Sequence, residues 1–428
     1  MRSGMQQDDF RAAIDIGTTK VCVILAKNRP DRRVELLGIG VAPNRGMTRG
    51  VVSDPEALTG SVREAVGKAA SEAGVAIARA YVGLSGTHIQ SHHHWNNVPR
   101  EGGVHAVTES DLHAALRAAS RVEMTADRRL LHVIPRTYSL DGIHGIRNPL
   151  GMHTGELHIE SIVITGSNDH IFSLQDAVRR AGVEPMNMVV EPLSTADSVI
   201  TADEREDGVV LVDVGGGSTD VSVFHDSSIV HTAVIPVGGQ HFSNDLSVAF
   251  SIPYQDAERL KIEKGTCAPE TAAMKEEVHI RPVNLGETLT ITRREVGQVL
   301  KDRAQELFRM ILLKLDAEHL REVPMERFVF TGGGSKLEGF QQLARFMFQR
   351  KIRTGLPRGL DGLPEVNRDP AYAAAAGITL WGVRNLPRET HISGSRRSAS
   401  SPDYITRQEE KQGVISSLTG WLAGRKND

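Results

Sequence analysis

The sequence predicts an α/β protein made of two related halves that face each other across a cleft. Two strand–turn–strand units, at residues 13–25 and 209–224, form a weak internal repeat, and each is followed by more sheet and then by helix. A third glycine-rich segment, at residues 331–335, follows a short apolar strand. Glycine-rich turns at strand ends in both halves indicate that a ligand binds between them.

The overall composition is that of an ordinary globular protein. The chain has 428 residues, of which 40% are hydrophobic and 24% charged, so it is long enough for two or more domains. The formal net charge of -3 and the aromatic content of 4% argue against a nucleic-acid partner. Cys22 and Cys267 are too few and too far apart for a disulfide scaffold or a metal site, so buried reduced thiols are expected.

We expect a cytoplasmic protein. No apolar stretch precedes Asp8 and Asp9, which argues against a signal peptide. The longest mostly apolar run, residues 372–383, is too short to span a bilayer.

Capping residues and apolar runs predict the main helices and strands. Helices are expected at Pro55–Ala73, from Thr108 and Asp111 to about Val122, from Asp169 to Ala181, from Thr292 and Glu295 to about His319, and from about Lys336. Strands are expected at residues 80–84, 130–134, 157–165, 209–214, 220–224 and 328–330.

The first candidate phosphate-binding site is the turn that follows the first strand. A tight turn of small residues directs backbone N–H groups inward, where they can surround phosphate oxygens. An acidic residue at the strand end is suited to hold Mg²⁺, mostly through water, because this ion keeps much of its hydration shell. A polar hairpin turn with one acidic residue is also common as plain structure. The residues concerned are Asp15, Gly17, Thr18, Thr19 and Lys20, with Asp15 as the candidate magnesium ligand.

The second candidate site repeats this pattern with three consecutive glycines. Glycine loses more backbone entropy on folding than any other residue, and a plain hairpin needs one or two. The excess therefore favours the close approach of a ligand. Asp213 and Asp220 flank the turn as further candidates for magnesium, and Asp220 also for positioning water. The turn itself consists of Gly215, Gly216, Gly217, Ser218 and Thr219.

The third candidate site lies between a strand and a helix, where a ligand can meet both the sheet end and a helix N-terminus. Its glycines replace side chains that would block a flat ring or a phosphate. None of the three segments has the Walker spacing, and no GxGxxG precedes an acidic residue at the required distance, so P-loop and dinucleotide-binding folds are disfavoured. The third site consists of Gly332, Gly333, Gly334 and Ser335.

Together the three segments resemble those of the superfamily of actin, sugar kinases and heat-shock chaperone ATPases. The resemblance implies an actin-like (ribonuclease-H-like) two-lobed fold that binds ATP with Mg²⁺. It implies that Glu191 polarises the water that attacks the γ-phosphate, although a carboxylate favoured by the helix dipole is an equal alternative. It also implies that Glu258 and Lys261 contact the nucleoside, the alternative being a surface helix pair of little energetic weight.

Four further segments resemble the FtsA family of bacterial cell-division proteins. They are residues 46–52 (GMTRGVV), 81–86 (YVGLSG), 131–135 (LHVIP) and 148–152 (NPLGM). The resemblance covers roughly residues 12–385 and the C-terminal tail. It implies an adaptor with at most weak ATPase activity that polymerises and tethers the FtsZ ring to the cytoplasmic face of the cell membrane at the division site. The implied partners are the FtsZ C-terminal peptide, further copies of the chain in a filament, membrane lipids and other division proteins.

The same resemblance divides the chain into lobes and subdomains. The first lobe is expected at residues 1–85, 166–198 and 369–386, the family's inserted α+β subdomain at 86–165, the second lobe at 199–228 and 310–368, and a small subdomain that receives the FtsZ peptide at 229–309. Residues 387–413 include a Ser/Gly/Arg-rich stretch and predict a disordered linker. His92–His94 is not a feature of the family, and a solvated loop is expected there in preference to a metal site.

The last stretch, residues 414–428, has the pattern of an amphipathic helix. Apolar residues fall at positions i, i+1, i+4, i+7 and i+8, which is one helical face. A tethered helix with a tryptophan and terminal basic residues suits the lipid interface. Docking on its own domain or on a partner is the alternative. The residues concerned are Val414, Ile415, Leu418, Trp421, Leu422, Arg425 and Lys426.

Two other functions within the superfamily stay open at this point, a small-molecule kinase and a pilus-assembly adaptor. The sequence shows no second acidic site set apart as a base for a substrate hydroxyl, and the terminal helix has no purpose in either function. A chaperone ATPase is disfavoured because no β-rich peptide-binding domain follows residue 386.

Overall fold

The structure, a computed structural model, describes residues 10–384 apart from residues 32, 49, 101, 271–275 and 284–286. Of the described residues, 10–90 and 169–380 form one compact unit, here the main unit, and 91–168 with 381–384 form a second, the inserted unit. The predicted linker at 387–413 and the predicted helix at 414–428, with Val414, Ile415, Leu418, Trp421, Leu422, Arg425 and Lys426, lie outside the described residues.

The described residues form strands β1 (Arg11–Ile16), β2 (Lys20–Asn28), β3 (Val34–Pro43), β4 (Met47–Thr48), β5 (Val51–Val52), β6 (Arg79–Leu84), β7 (Gln90–Val98), β8 (His105–Ala106), β9 (Arg128–Leu140), β10 (Ile143–Ile146), β11 (His153–Thr154), β12 (Leu157–Ser167), β13 (Glu184–Val190), β14 (Val209–Val214), β15 (Thr219–His225), β16 (Ser228–Ile235), β17 (Glu277–Ile280), β18 (Leu289–Thr292), β19 (Arg327–Thr331), β20 (Lys351–Thr354) and β21 (Leu360–Asp361). They also form helices α1 (Pro55–Ala73), α2 (Glu109–Ala119), α3 (Asn168–Arg180), α4 (Glu191–Val199), α5 (Ala202–Asp207), α6 (Gly239–Phe250), α7 (Tyr254–Lys264), α8 (Arg293–Leu315), α9 (Phe340–Phe348) and α10 (Ala373–Arg384).

The first sheet of the main unit has the strand order β13-β6-β1-β2-β3-β21. Strands β13, β6 and β1 run parallel, so their carboxyl ends lie at one edge of the sheet. That edge carries Asp15 near the end of β1, Ser85 directly after β6 and Glu191 directly after β13. Residues far apart in the sequence are therefore brought to one place by strand direction.

The second sheet of the main unit has the order β16-β15-β14-β19-β20, and β14, β19 and β20 are parallel. Its carboxyl edge carries Asp213 near the end of β14 and Gly332 directly after β19. Both predicted strand–turn–strand units are confirmed, as antiparallel hairpins β1–β2 and β14–β15. Each hairpin turn therefore lies at the ligand-binding edge of its own sheet.

Helix α1 shows how local signals and packing agree. Asp54 caps its N-terminus by accepting from the N–H groups of Glu56 and Ala57, and Gly74 ends it in the left-handed conformation with φ of 70°. The helix lies directly on β3, because a Cβ on Gly40 would be 2.0 Å from the carbonyl oxygen of Ala65. The predicted bounds of this helix are confirmed.

Helices α4 and α10 cross in close backbone contact. A Cβ on Gly377 in α10 would lie 2.1 Å from the carbonyl oxygen of Ser194 in α4. The Ser198 hydroxyl donates to the carbonyl oxygen of Ala373 at 2.7 Å. Helix α4 lies on the path of the chain from β13 of the first sheet to β14 of the second, and α10 follows the return from β20 of the second sheet to β21 of the first. The crossing therefore lies where the chain passes between the two sheets.

The inserted unit is a four-stranded sheet, β10-β9-β12-β7, packed against α2. Its core includes Leu112 and Leu116 of α2 and Tyr138 and Ile159 of the sheet. The predicted solvated loop at His92–His94 is wrong, since these residues lie in edge strand β7. Alternation along that strand leaves His92 exposed and His93 half-buried.

Three predicted helix ends are wrong. Helix α2 ends at Ala119 and not near Val122, and α8 ends at Leu315 and not near His319. After α8 the chain makes a short 3₁₀ turn that buries Leu320 completely. The third glycine segment leads into a 3₁₀ turn, and α9 begins only at Phe340, after Gly339 with φ of 76°.

Two further features of the described residues concern membrane-spanning helices and the two cysteines. Within the described residues, no helix combines the length and apolarity needed to cross a membrane. Cys22 and Cys267 are free and buried, as predicted.

Candidate functional site

The first turn, residues 17–19, is held in place by Asn44. The Asn44 side chain donates to the carbonyl oxygen of Gly17 at 2.7 Å, and its backbone N–H donates to that of Thr19 at 3.0 Å. Thr18 is buried and Thr19 is exposed at the tip of the turn. Sequence reasoning misses Asn44, because a lone asparagine after a strand carries no signal of this long-range contact.

The second turn is held by the start of helix α6. The N–H of Gly239 donates to the carbonyl oxygen of Gly215 at 2.9 Å, and the N–H of Gln240 donates to that of Gly216 at 2.8 Å. A Cβ on Gly238 would lie 2.7 Å from the Gly215 carbonyl oxygen, so only glycine fits there. No contact between residues 238–239 and the second turn is predicted from the sequence, although paired glycines at the start of a helix are a usable signal of one.

The remaining residues of the second turn close it upon itself. The N–H of Gly215 donates to the carbonyl oxygen of Ser218 at 2.9 Å. Thr219 is fully buried, and its hydroxyl donates to the carbonyl oxygen of Val237 at 2.7 Å. Gly217, between them, is buried. The side chain of Thr219 thus fixes the turn to the segment that leads into α6.

The two turns touch each other. A Cβ on Gly216 would lie 2.6 Å from Cγ2 of Thr19 and 3.5 Å from Cβ of Thr18. These residues are almost 200 positions apart in the sequence and belong to different sheets. The predicted convergence of the two glycine turns is therefore present in the structure.

The third glycine segment joins the same region. Gly332 has φ of 81°, and a Cβ there would lie 2.2 Å from Oδ1 of Asp213. A Cβ on Gly334 would lie 2.5 Å from Cγ1 of Val214. These two glycines let the loop pack on the end of β14, a reason different from the ligand approach that the sequence suggested. The Ser335 hydroxyl closes the loop by donating to the carbonyl oxygen of Gly332 at 2.8 Å.

The first turn and the third glycine segment both contact the segment before α10, the first turn through Lys20 and the third segment through Gly333. The Lys20 ammonium donates to the carbonyl oxygen of Ala371 at 2.5 Å and lies 5.2 Å from the centre of the Tyr372 ring. A Cβ on Gly333 would lie 3.6 Å from Cβ of Ala371. An open cavity of about 380 Å³ borders the third segment, lined by Ser335, Lys336, Leu337, Gln341, Gln342, Thr354 and Pro370.

Four carboxyl groups meet at the turns, from Asp15, Glu191, Asp213 and Asp220. Burial raises the pKa of Asp213 to about 8, with Asp220 and Asp15 adding to the rise. Burial likewise raises the pKa of Asp220 to about 6, against a hydrogen bond from Ser85 that lowers it. Burial raises the pKa of Asp15, and Lys20 opposes that rise. Gathering four acids with one lysine is unfavourable for the protein alone and favours a bound cation.

The arrangement of oxygens fits a cation held mostly through water. Oδ1 of Asp220 is buried and has no hydrogen-bond donor among the described residues, whereas Oδ2 accepts from Ser85 at 2.6 Å. In the described part of the chain, no three His, Cys, Asp or Glu side chains are placed to bind one metal ion directly. Mg²⁺ does not require such a set, because it retains several waters and binds through one or two carboxylates and phosphate oxygens.

Glu191 begins helix α4 and points into the acid cluster. A Cβ on Gly83 would lie 2.9 Å from Oε1 of Glu191, so the glycine in β6 makes room for this carboxyl. Burial, followed by the charges of Asp15, Asp220 and Asp213, raises the pKa of Glu191 well above its ordinary value. Glu191 is therefore both an N-terminal carboxyl of helix α4 and a member of the acid cluster.

Glu258 and Lys261 on α7 form part of a network, not an isolated surface pair. The Lys261 ammonium donates to Oε2 of Glu258 at 2.8 Å and to the carbonyl oxygen of Gly239 at 2.9 Å. The Ser243 hydroxyl donates to the same Glu258 oxygen. Gly239 also donates its N–H to the carbonyl oxygen of Gly215 in the second turn. A single residue, Gly239, therefore connects Lys261 to the candidate phosphate site.

Comparison with known proteins identifies the family. The family described as "Cell division protein FtsA" matches residues 210–377, and the "SHS2 domain inserted in FTSA" matches residues 86–165. The "Cell division protein FtsA" of Pseudomonas aeruginosa is 33% identical over 99% of this chain and 99% of its own length.

Solved structures agree on the fold. The PilM–PilN type IV pilus biogenesis complex has a chain with a TM-score of 0.63 and 18% identity, covering 87% of this chain and 98% of that one. MreB5 of Spiroplasma citri bound to ADP gives a TM-score of 0.52 and 14% identity, covering 88% and 97%. The fold is actin-like, with an inserted subdomain in place of a plain connection, and the chain belongs to the FtsA family of cell-division proteins.

Proposed function

We propose that the chain binds ATP with Mg²⁺ between the two hairpin turns. The observation that carries this proposal is the contact of Gly216 with Thr19, which aligns two glycine turns beside the cluster of four carboxyl groups. Backbone N–H groups of residues 17–19 and 216–218 would hold the phosphates, and Asp15, Asp213 and Asp220 would hold Mg²⁺ through water. When bound, Mg²⁺ neutralises phosphate charge. MreB5, which shares the fold, is solved with ADP, and this supports nucleotide binding by the chain.

Glu191 is the residue best placed to orient a water at the γ-phosphate. Its carboxyl lies against β6 at Gly83 and among the three aspartates. Burial and the neighbouring aspartates raise the pKa of Glu191, so a bound cation would be needed to favour its ionised form. Hydrolysis would then depend on Mg²⁺, and the chain would act as an adaptor that uses the nucleotide mainly to set its conformation.

Nucleotide binding would act on the crossing of α4 and α10. The two helices are packed backbone to backbone at Gly377 and Ser194. One helix would therefore rotate about this contact more readily than it would slide along the other. Phosphates bridging both turns would favour the closed arrangement of the two sheets, and a closed arrangement would favour head-to-tail polymerisation into a filament.

The tail at residues 414–428 would attach this filament to the cytoplasmic face of the membrane at the division site. Its apolar face contains Ile415, Leu418, Trp421 and Leu422, and its end carries Arg425 and Lys426. One such short helix binds weakly, since Gly420 and Thr419 are poor helix formers, whereas many along a filament bind strongly.

The subdomain at residues 229–309 would receive the FtsZ C-terminal peptide. It exposes large apolar side chains on α6, on α7 and before β18, with Val248 81%, Ile262 72% and Val283 69% exposed. Isolated apolar side chains are normal on a surface, but three this exposed on one small subdomain support a peptide-binding face. Other division proteins would bind elsewhere on the same filament.

Calorimetric titration tests the nucleotide proposal directly. Wild-type protein should bind ATP with micromolar affinity in Mg²⁺ and more weakly in EDTA. ADP release that requires an added small metabolite would instead indicate a kinase. For the tail, co-sedimentation with anionic liposomes should compare the full chain with one that ends at Gly413, and equal pelleting of the two would refute membrane attachment.

A further inference from the structure

One hydrogen bond joins the acid cluster to the opposite sheet. The hydroxyl of Ser85 donates to Oδ2 of Asp220 at 2.6 Å. Ser85 follows β6 in the first sheet, and Asp220 lies in β15 of the second sheet. The hydrogen bond therefore spans the two halves of the main unit, at the edge where both turns meet.

The hydrogen bond from Ser85 leaves one oxygen of Asp220, Oδ1, available to another partner. The terminal torsion of an aspartate is broad, so a free carboxyl samples several orientations. Once Oδ2 is committed to Ser85, Oδ1 is left buried, with no donor from the described residues. Leaving a buried charged oxygen without a partner costs stability, which makes this oxygen a binding position.

The donor is itself rigidly placed. Strand β6 pairs with β1 as far as Val82 and with β13 as far as Leu84. Gly86 follows with φ of 134°, a conformation that turns the chain sharply away after Ser85. A Cβ on Gly86 would also lie 3.0 Å from Nδ1 of His88, which leaves the turn little freedom. The Ser85 hydroxyl is thus presented from a fixed strand end.

We propose that Ser85 is a positioning residue, which holds Asp220 so that Oδ1 faces the hydrated Mg²⁺ of the bound nucleotide. The proposal rests on the proposed nucleotide site and adds to it a residue from the opposite sheet. Because Ser85 and Asp220 belong to different halves, the oxygen is correctly aimed only when the halves are together. Ser85 thereby links magnesium-dependent affinity to closure.

The test is the Mg²⁺ dependence of ATP binding in the full chain, for wild type, Ser85→Ala and Ser85→Thr. Thr87→Ala is the matched control, since it deletes an exposed hydroxyl from the same turn. Ser85→Ala should raise the Mg²⁺ concentration for half-maximal ATP binding about five- to tenfold, the cost of one charge-assisted hydrogen bond. Ser85→Thr should restore the wild-type value, and Thr87→Ala should leave it unchanged.

Three outcomes would overturn the proposal. The first is a wild-type Mg²⁺ dependence for Ser85→Ala. The second is an equal weakening of ATP binding by Ser85→Ala in Mg²⁺ and in EDTA, which indicates a merely structural role. The third is an absence of ATP binding by the wild type, which would refute the nucleotide site itself. The wild-type titration shows this outcome independently of the variants. Thermal unfolding of each variant, measured without nucleotide, shows whether a loss of folding accounts for any change.

Discussion

Asp213 and Asp220 lie directly opposite each other across the β14–β15 hairpin, as paired residues of the antiparallel ladder. Side chains of directly paired residues extend on the same face of a sheet, and like charges in such a pair destabilise it. Asp15 and Glu191 add their carboxyl groups to the same place. The hairpin therefore carries an electrostatic cost that a bound cation would offset.

This cost predicts how the stability of the free protein depends on pH. An acid whose pKa is higher folded than unfolded stabilises the fold fully below the unfolded value, and that contribution is lost as pH rises through the folded value. For Asp213 the loss extends from about its ordinary value of 3.8 up to about 8. We therefore compare the free energies of unfolding of Asp213→Asn and wild type in EDTA without nucleotide. The advantage of the variant should increase by roughly 1–3 kcal/mol from pH 5.5 to pH 8.

Urea unfolding of wild type and variant at the two pH values measures this gain. Asp302→Asn, which alters an exposed carboxyl on α8, is the control and should differ equally from wild type at both values. Saturating Mg²⁺ with ATP should abolish the advantage of Asp213→Asn. An advantage that is the same at both pH values would contradict the raised pKa of Asp213.

The contact between the turns predicts the effect of enlarging Gly216. Because a Cβ there would be 2.6 Å from Cγ2 of Thr19, Gly216→Val should displace the two turns from each other. ATP affinity should fall by at least about a hundredfold, the loss expected when several phosphate hydrogen bonds are misaligned. Gly67→Ala is the control, since a Cβ on this α1 residue meets nothing within 4 Å.

The Gly67→Ala control carries a prediction of its own. Alanine should stabilise the helix by about 0.5–1 kcal/mol without changing ATP affinity. An equal ATP affinity for Gly216→Val and Gly67→Ala would show that the turn contact is not part of the site.

The network on α7 predicts that Lys261→Ala weakens ATP binding. Lys261 bridges Glu258 and the carbonyl oxygen of Gly239, beside the second turn. Removal of this cation should lower ATP affinity about five- to fiftyfold. Arg259→Ala on the same helix is the matched control, because Arg259 is exposed and pairs only with Asp256 among the described residues. Calorimetry that gives the same affinity for both variants would refute a role for Lys261.

The crossing of α4 and α10 predicts a strong effect at Gly377. A Cβ 2.1 Å from the Ser194 carbonyl oxygen cannot be accommodated without moving one helix backbone. Gly377→Ala should therefore destabilise the protein by about 2–4 kcal/mol, as overpacked sites do. Gly60→Ala, in open space on α1, should be neutral or slightly stabilising. A melting temperature for Gly377→Ala at or above wild type would show that the crossing is loose.

Local signals in the sequence predict the turns and several helices because their causes are local. Asp54 caps α1 and Gly74 ends it through contacts within a few residues. The excess of glycine at residues 215–217 likewise marks the second turn, whose strands then bring it to the first.

The sequence misses features whose causes are distant. Strand β9 continues through Pro135, which a short apolar pattern does not predict; the register shift between Glu160 and Ser161 of β12 accommodates it as a bulge. Ser85 and Asn44 join the site through partners that only the folded sheets bring near. The glycines of the third segment are explained by packing on Asp213 and Val214, a reason that no sequence motif reveals.

A crystal structure with Mg²⁺ and a non-hydrolysable ATP analogue tests the central claim most directly. The triphosphate should lie between residues 17–19 and 215–218, with the metal's water shell on Oδ1 of Asp220 and the nucleoside beside Glu258 and Lys261. An analogue bound elsewhere, with the Thr19–Gly216 contact still closed, would contradict the claim that these turns form a nucleotide site.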